Sequence, residues 1–177
     1  MAFRSRTRRR FGAKKVRDLI WVATTTEIQV TDTGTVGGEV LNSGNWSISA
    51  TGVFERATLL RVVGTVSWNQ TGNATNADVP WVGWIVYKDA QGLGATLVDP
   101  TTATAVGAVD CLHWDNFMLT ATASGSSTTI ARQAIDFKTK RKLDSGDGLY
   151  ISTRIPADTA SPTVNMVFTL RWLIDRN

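Results

Sequence analysis

From residue 18 onward, no stretch of this chain sustains the 3.6-residue apolar period of an amphipathic helix. Short runs rich in Val, Ile, Thr and Trp are instead cut repeatedly by Gly, Pro, Asp and Asn. That punctuation confines the fold to sheets, because β-branched and aromatic side chains suit a pleated, half-buried surface and lose rotamer freedom in a helix. A length of 177 residues with 42% hydrophobic content is enough for one domain with its own core.

Residues 19–30 read as a first strand. Turn signals follow at Thr31-Asp32-Thr33-Gly34 and at Gly37-Gly38, and residues 41–51 are polar and ambiguous. Residues 57–68 form the clearest strand. Alternation puts Leu60, Val62, Val66 and Trp68 on one face, with Gly64 there as a bulge or a close backbone approach. A polar loop at 69–78 leads to 81–87, an almost unbroken apolar run that fits a strand covered on both faces or held at a subunit contact.

The mixed stretch 88–122 predicts a short helix near 101–109, then a strand or ordered loop at 112–119. After a turn at 124–127, residues 130–138 alternate. Ile130, Arg132, Ala134, Asp136 and Lys138 share one face, and Ala131, Gln133, Ile135 and Phe137 share the other. A strong turn at 144–148 opens a strand at 149–155, and a Pro-flanked loop precedes a closing strand at 164–174. The expectation is an all-β fold, a single jelly-roll sandwich of about eight antiparallel strands, since the long 88–122 connection exceeds immunoglobulin spacing. Residues 18–177 form this domain.

The net charge of +4 conceals a division. Residues 1–17 hold eight bases (Arg4, Arg6, Arg8, Arg9, Arg10, Lys14, Lys15 and Arg17) and no acid, which gives +8. Eleven bases against fifteen acids remain in 18–177, a net of −4. An arm of this kind repels itself and is expected to stay disordered until it meets a polyanion. Arg predominates, which favours forked contacts to phosphate oxygens. Phe3 and Phe11 stand ready within it as stacking groups for bases. Lys138, Lys140, Arg141 and Lys142 form a second basic cluster, read equally as part of the same nucleic-acid surface or as a solvated turn.

Little points to catalysis. Cys111 and His113 are the only Cys and His, too few for a zinc site; i and i+2 on a strand share a face, but nothing orients the pair. Asp144 and Asp147 suit a turn better than a carboxylate dyad. No cofactor is called for and no metal site is assigned; calcium at a subunit contact is left open without residues. Trp68, Trp81, Trp84, Trp114 and Trp172 sit in apolar runs and read as core or interface, while Trp21 and Trp46 are less defined. No apolar run reaches the length of a signal-peptide core or a membrane span, so the chain is expected to be soluble and to keep its basic start.

The Arg-rich arm, the 57–68 strand, the Phe137-to-Gly148 segment and the closing Leu170-Arg-Trp-Leu-Ile174 together resemble the single jelly-roll coat proteins of small icosahedral viruses. The resemblance is greatest to those of small circular single-stranded DNA viruses that encode a replication initiator, and satellite plant viruses share the plan. It implies a virion protein, not an enzyme, whose partners are about 60 copies of itself in a closed shell. It also implies a viral genome held by inward-turned arms, single-stranded DNA ahead of RNA; whether the arm doubles as a nuclear localisation signal, with assembly in a host nucleus, is left open by its composition. Two other classes fit less of the chain: a cellular nucleic-acid-binding β module, and a carbohydrate-binding sandwich that would leave the arm without a role.

Overall fold

The computed structural model describes residues 17–31, 34–46, 57–71, 81–89, 97–107, 109–118, 130–155 and 163–176. Eight strands run through them: β1 (Leu19–Val30), β2 (Val36–Asn42), β3 (Ala57–Thr71), β4 (Trp81–Asp89), β5 (Asp110–Met118), β6 (Ala131–Leu143), β7 (Gly148–Arg154) and β8 (Thr163–Arg176). Two short helical turns, α1 (Ser43–Trp46) and α2 (Ala103–Gly107), complete the set.

The strands form two four-stranded sheets, ordered β1-β8-β3-β6 and β2-β7-β4-β5, with every pairing antiparallel. Within them β1 pairs with β8, β2 with β7, β3 with β6 and β4 with β5. That nesting is what one long hairpin leaves when it wraps around itself; the β8–β3 and β7–β4 pairings close the wrap. This is the jelly-roll connectivity that the strand count and the long loop predict.

The sheets meet through their alternate residues. Val62 and Val66 of β3, Phe168, Leu170, Trp172 and Ile174 of β8, Val82, Trp84 and Val86 of β4, and Leu149 and Ile151 of β7 form one continuous core. Each large apolar side chain removed from water contributes about 1.5–3 kcal/mol. The Trp172 indole meets its hydrogen-bonding need by donating to Thr24 Oγ1 at 2.8 Å.

Two sequence expectations shift here. Leu60 is left out of both ladders of β3, at an irregularity between Leu59 and Arg61. The alternation changes phase at that point, so Leu59, not Leu60, is fully buried in the core, while Val62 and Val66 keep their places. Gly64 proves to be the close approach: a Cβ there would overlap the Thr169 carbonyl oxygen. Gly37 and Gly38 lie inside β2 instead of a turn, and a Cβ on Gly37 would overlap the Ile151 carbonyl oxygen of β7.

The doubly buried reading of β4 holds within a single chain. Its second face, Ile85 and Tyr87, packs with Val98 under the segment that carries α2. Ser152 Oγ donates to Val98 O at 2.6 Å, Trp114 Nε1 donates to Pro100 O at 2.7 Å, and Arg154 pairs with Asp99. The expected helix near 101–109 is therefore a strap over the second sheet. The expected turn at 124–127 lies outside the described residues, as do most of the loops at 69–78 and 156–162.

Candidate nucleic-acid interface

Among the arm residues, Arg4, Arg6, Arg8, Arg9, Arg10, Lys14 and Lys15, with Phe3 and Phe11, lie outside the described residues. Arg17 is the first described cation. It is well exposed and stands 3.8 Å from Asp175. Beside it, Asp18 pairs with Arg176 at 2.8 Å, and the Asp18 carbonyl accepts the Arg176 amide, so the chain is tied to the end of β8 where β1 begins.

Register then fixes where the second basic cluster lies. One row across the first sheet runs Leu19, Asp175, Thr58, Lys142, and the next but one runs Trp21, Leu173, Arg61, Lys138. The root of the arm and the Lys138–Lys142 segment thus occupy the same end of one sheet. They are separated by three strand spacings, about 14 Å. Sequence reasoning had no access to this, because it depends on which strands are neighbours.

The cluster belongs to β6, an edge strand, and does not act as one unit. Lys138, Lys140 and Lys142 are exposed and follow the alternation of the outer face, one every second residue. Arg141 has the opposite parity and reaches Asp110 of β5 at 2.8 Å. The same outer face carries Arg61 in a two-bond grip on Asp136, at 2.8 and 2.6 Å. The hydrogen bond and charge of Arg61 hold the Asp136 carboxyl below its ordinary range. Trp21 is 45% exposed on this face, with the Arg171 guanidinium 5.2 Å from its ring centroid.

Trp68, Trp84 and Trp172 lie in or against the core, as the sequence reading has them. Trp46, Trp84 and Trp172 are buried, and Trp68 stacks on Phe117 at 3.8 Å. Trp114 is 46% exposed although it sits in an apolar run, because it caps the strap through Pro100.

The expectation that Cys111 and His113 share a face fails. A register shift in the β4–β5 ladder pairs Val86 with His113 but Tyr87 with Cys111, which leaves Leu112 as the extra residue. Cys111 consequently packs under the strap with Tyr87 and Ile85, where burial pushes its thiol up. His113 faces the other way, stacked on Phe137 at 4.8 Å and against Trp84 at 4.9 Å. Burial lowers its pKa, with Asp115 opposing. The two groups are not placed to act together.

Asp144 and Asp147 make the turn the sequence implies. Asp147 Oδ2 accepts the Asp144 amide at 2.7 Å and Lys88 Nζ at 3.1 Å, and Gly146 takes a positive φ of 82°. Among the described residues, no three His, Cys, Asp or Glu side chains gather in a way that could hold a metal ion. No helix among them is long and apolar enough to cross a membrane.

No protein-family profile matches this chain, and no curated protein sequence does. Similar solved structures include the Eiger TNF of S. frugiperda, with a TM-score of 0.37 and 11% identity over 89% of this chain and 93% of that one. The BFDV capsid protein in its decameric crystal form has a TM-score of 0.35 and 11% identity over 90% of this chain and 100% of that one. The fold assignment rests on the strand order.

Proposed function

We propose that this chain is the coat protein of a small icosahedral virus: the jelly-roll body assembles with copies of itself, and residues 1–17 bind the packaged nucleic acid. The observation that carries the reading is the division of charge, +8 in seventeen residues joined to a body of −4. A cationic arm on an acidic sandwich gathers the chain's excess positive charge in one segment, where the far denser charge of a polyanion outcompetes the pull of the body's −4. Its affinity arises from counterion release and carries no sequence preference, which is what packaging a whole genome requires. In a shell of about 60 copies, the arms would neutralise on the order of 500 phosphates.

Light scattering and negative-stain microscopy of the purified protein test the assembly. Closed particles of megadalton mass are expected, and a monomer or dimer under all buffers would refute it. Deleting residues 3–15 tests the packaging: particles of the shortened chain should lose their nucleic acid. An unchanged nucleic-acid content would remove the arm from the mechanism.

A further inference from the structure

We infer that the outer face of the β1-β8-β3-β6 sheet is itself a binding surface for single-stranded nucleic acid, continuous with the arm, with Trp21 as a stacking platform for a base. The inference rests on the nucleic-acid reading above and extends it to folded residues.

The body's described cations fall into two groups, those held by a carboxylate and those that are not. Arg61, Lys88, Arg141, Arg154 and Arg176 each hold a carboxylate, on Asp136, Asp147, Asp110, Asp99 and Asp18 respectively. Arg132, Lys138, Lys140, Lys142 and Arg171 are the other described bases of residues 18–177. Among the described residues none of them has a carboxylate within ion-pair distance. All of these unneutralised bases are exposed and lie on the outer parity of β6 or β8 in the same sheet. In a body of net negative charge, this sorting concentrates free positive charge on one side.

Edge-strand lysines have an ordinary use in blocking sheet-to-sheet aggregation, and β6 is an edge. That use accounts for neither Arg171, which projects from the interior strand β8, nor the exposed indole it lies over. An apolar ring at 45% exposure is costly next to water, but it suits a nucleobase, whose stacking on an aromatic ring is tolerant of sequence. Arg171 lies over one face of the ring, 5.2 Å from its centroid, so the base stacks on the opposite face and the guanidinium meets the phosphate of the stacked nucleotide. Successive outward lysines of β6 are about 6–7 Å apart, far enough for each to engage a separate phosphate. The Trp21-to-Lys138 row joins the aromatic side to the cationic side, and the arm enters from the same end. A duplex would keep its bases stacked internally, so the surface selects single strands.

The test uses the full chain and a fluorescein-labelled oligothymidylate, titrated by anisotropy over a range of KCl concentrations. Lys138→Gln, Lys140→Gln and Lys142→Gln combined should reduce the slope of log affinity against log salt by about 2, from roughly 0.7 per lost phosphate contact. Asp136→Asn releases Arg61 and removes a negative charge from the face, so it should tighten binding several-fold, an effect no structural role of Asp136 would produce. An oligonucleotide carrying 5-iododeoxyuridine should photo-crosslink to the peptide containing Trp21.

A parallel variant with Arg4, Arg6, Arg8, Arg9 and Arg10 changed to Gln separates the two claims. If it weakens binding while the β6 triple variant does not, the face is excluded and the arm reading stands. If the β6 variant weakens binding and the arm variant does not, the face stands and the arm reading falls. If neither does, both fall. Crosslinks confined to the arm, or equal binding of a duplex, would overturn the role given to Trp21.

Discussion

The Arg141 guanidinium of β6 lies 2.8 Å from the Asp110 carboxylate of β5, joining the two sheets across the edge of the sandwich. Gln133 donates to Asp115 at 2.6 Å along the same edge, and the His113–Phe137 stack lies nearby. In sequence Arg141 is indistinguishable from its basic neighbours, yet it belongs to the architecture and they belong to the surface.

Arg141→Gln should therefore cost stability and leave polyanion binding alone. Both partners are partly exposed, so the loss is about 0.5 kcal/mol. A denaturant midpoint and an oligonucleotide titration on the same variant check both halves. A binding loss as large as that of Lys142→Gln would put Arg141 back in the interface.

Gly64→Ala should be far more damaging than its size suggests. The added methyl overlaps the Thr169 carbonyl oxygen, a backbone group locked in the β3–β8 ladder that cannot swing aside. The expected loss is about 3 kcal/mol. Gly38→Ala is the matched control, because nothing stands within 4 Å of its Cβ position. A thermal melt that separates the two supports the close approach, and similar melts would argue against it.

The pattern of these sites explains what the sequence could and could not disclose. Period-2 alternation located the inward set Ala131, Gln133, Ile135 and Phe137 of β6, and an unbroken apolar run announced that β4 is covered twice. Alternation fails wherever one residue is added to a ladder. It fails at Leu60, which exchanged places with Leu59, and at Leu112, which turned Cys111 and His113 to opposite faces. Nothing in the residue types at those positions marks a bulge. Gly37-Gly38 looks like a turn because two glycines are a turn signal, but β2 uses Gly37 for its approach to Ile151 of β7. Of the proposed interface, only the arm was legible in the sequence. The shared row of Leu19 and Lys142, and Trp21 beside Arg171, come from pairing between strands distant in sequence.

Asp147→Ala should destabilise the β6–β7 connection by about 3 kcal/mol. Its carboxylate is 3% exposed and accepts both the Asp144 amide and Lys88 Nζ, so truncation orphans the turn amide and leaves a partly buried ammonium with only the Lys142 carbonyl, at 3.3 Å. Asp147→Asn keeps an acceptor for the amide and should recover part of the loss. If the Ala and Asn variants unfold at the same denaturant concentration, the turn bond contributes nothing and the charge pair alone is responsible.

The strap over the second sheet should loosen in acid, and Asp99 is the reason. Burial alone would raise the pKa of this carboxyl. The Thr101 hydroxyl at 2.6 Å, the Thr101 amide at 2.9 Å and the charge of Arg154 outweigh that effect and hold it below its ordinary value. A carboxyl with a folded pKa below its unfolded value of about 3.9 stabilises the fold fully above that value. The contribution falls away as the pH drops from about 4 through the depressed folded pKa. Hydrogen-exchange protection in residues 97–107, taken relative to the intrinsic exchange rate at each pH, should accordingly fall below about pH 4 before the main core opens. In Asp99→Asn the strap should already be less protected at neutral pH, with little further change in protection on acidification, because the titrating group is gone. Strap exchange that follows global unfolding at every pH in both proteins would show that Asp99 does not control the strap.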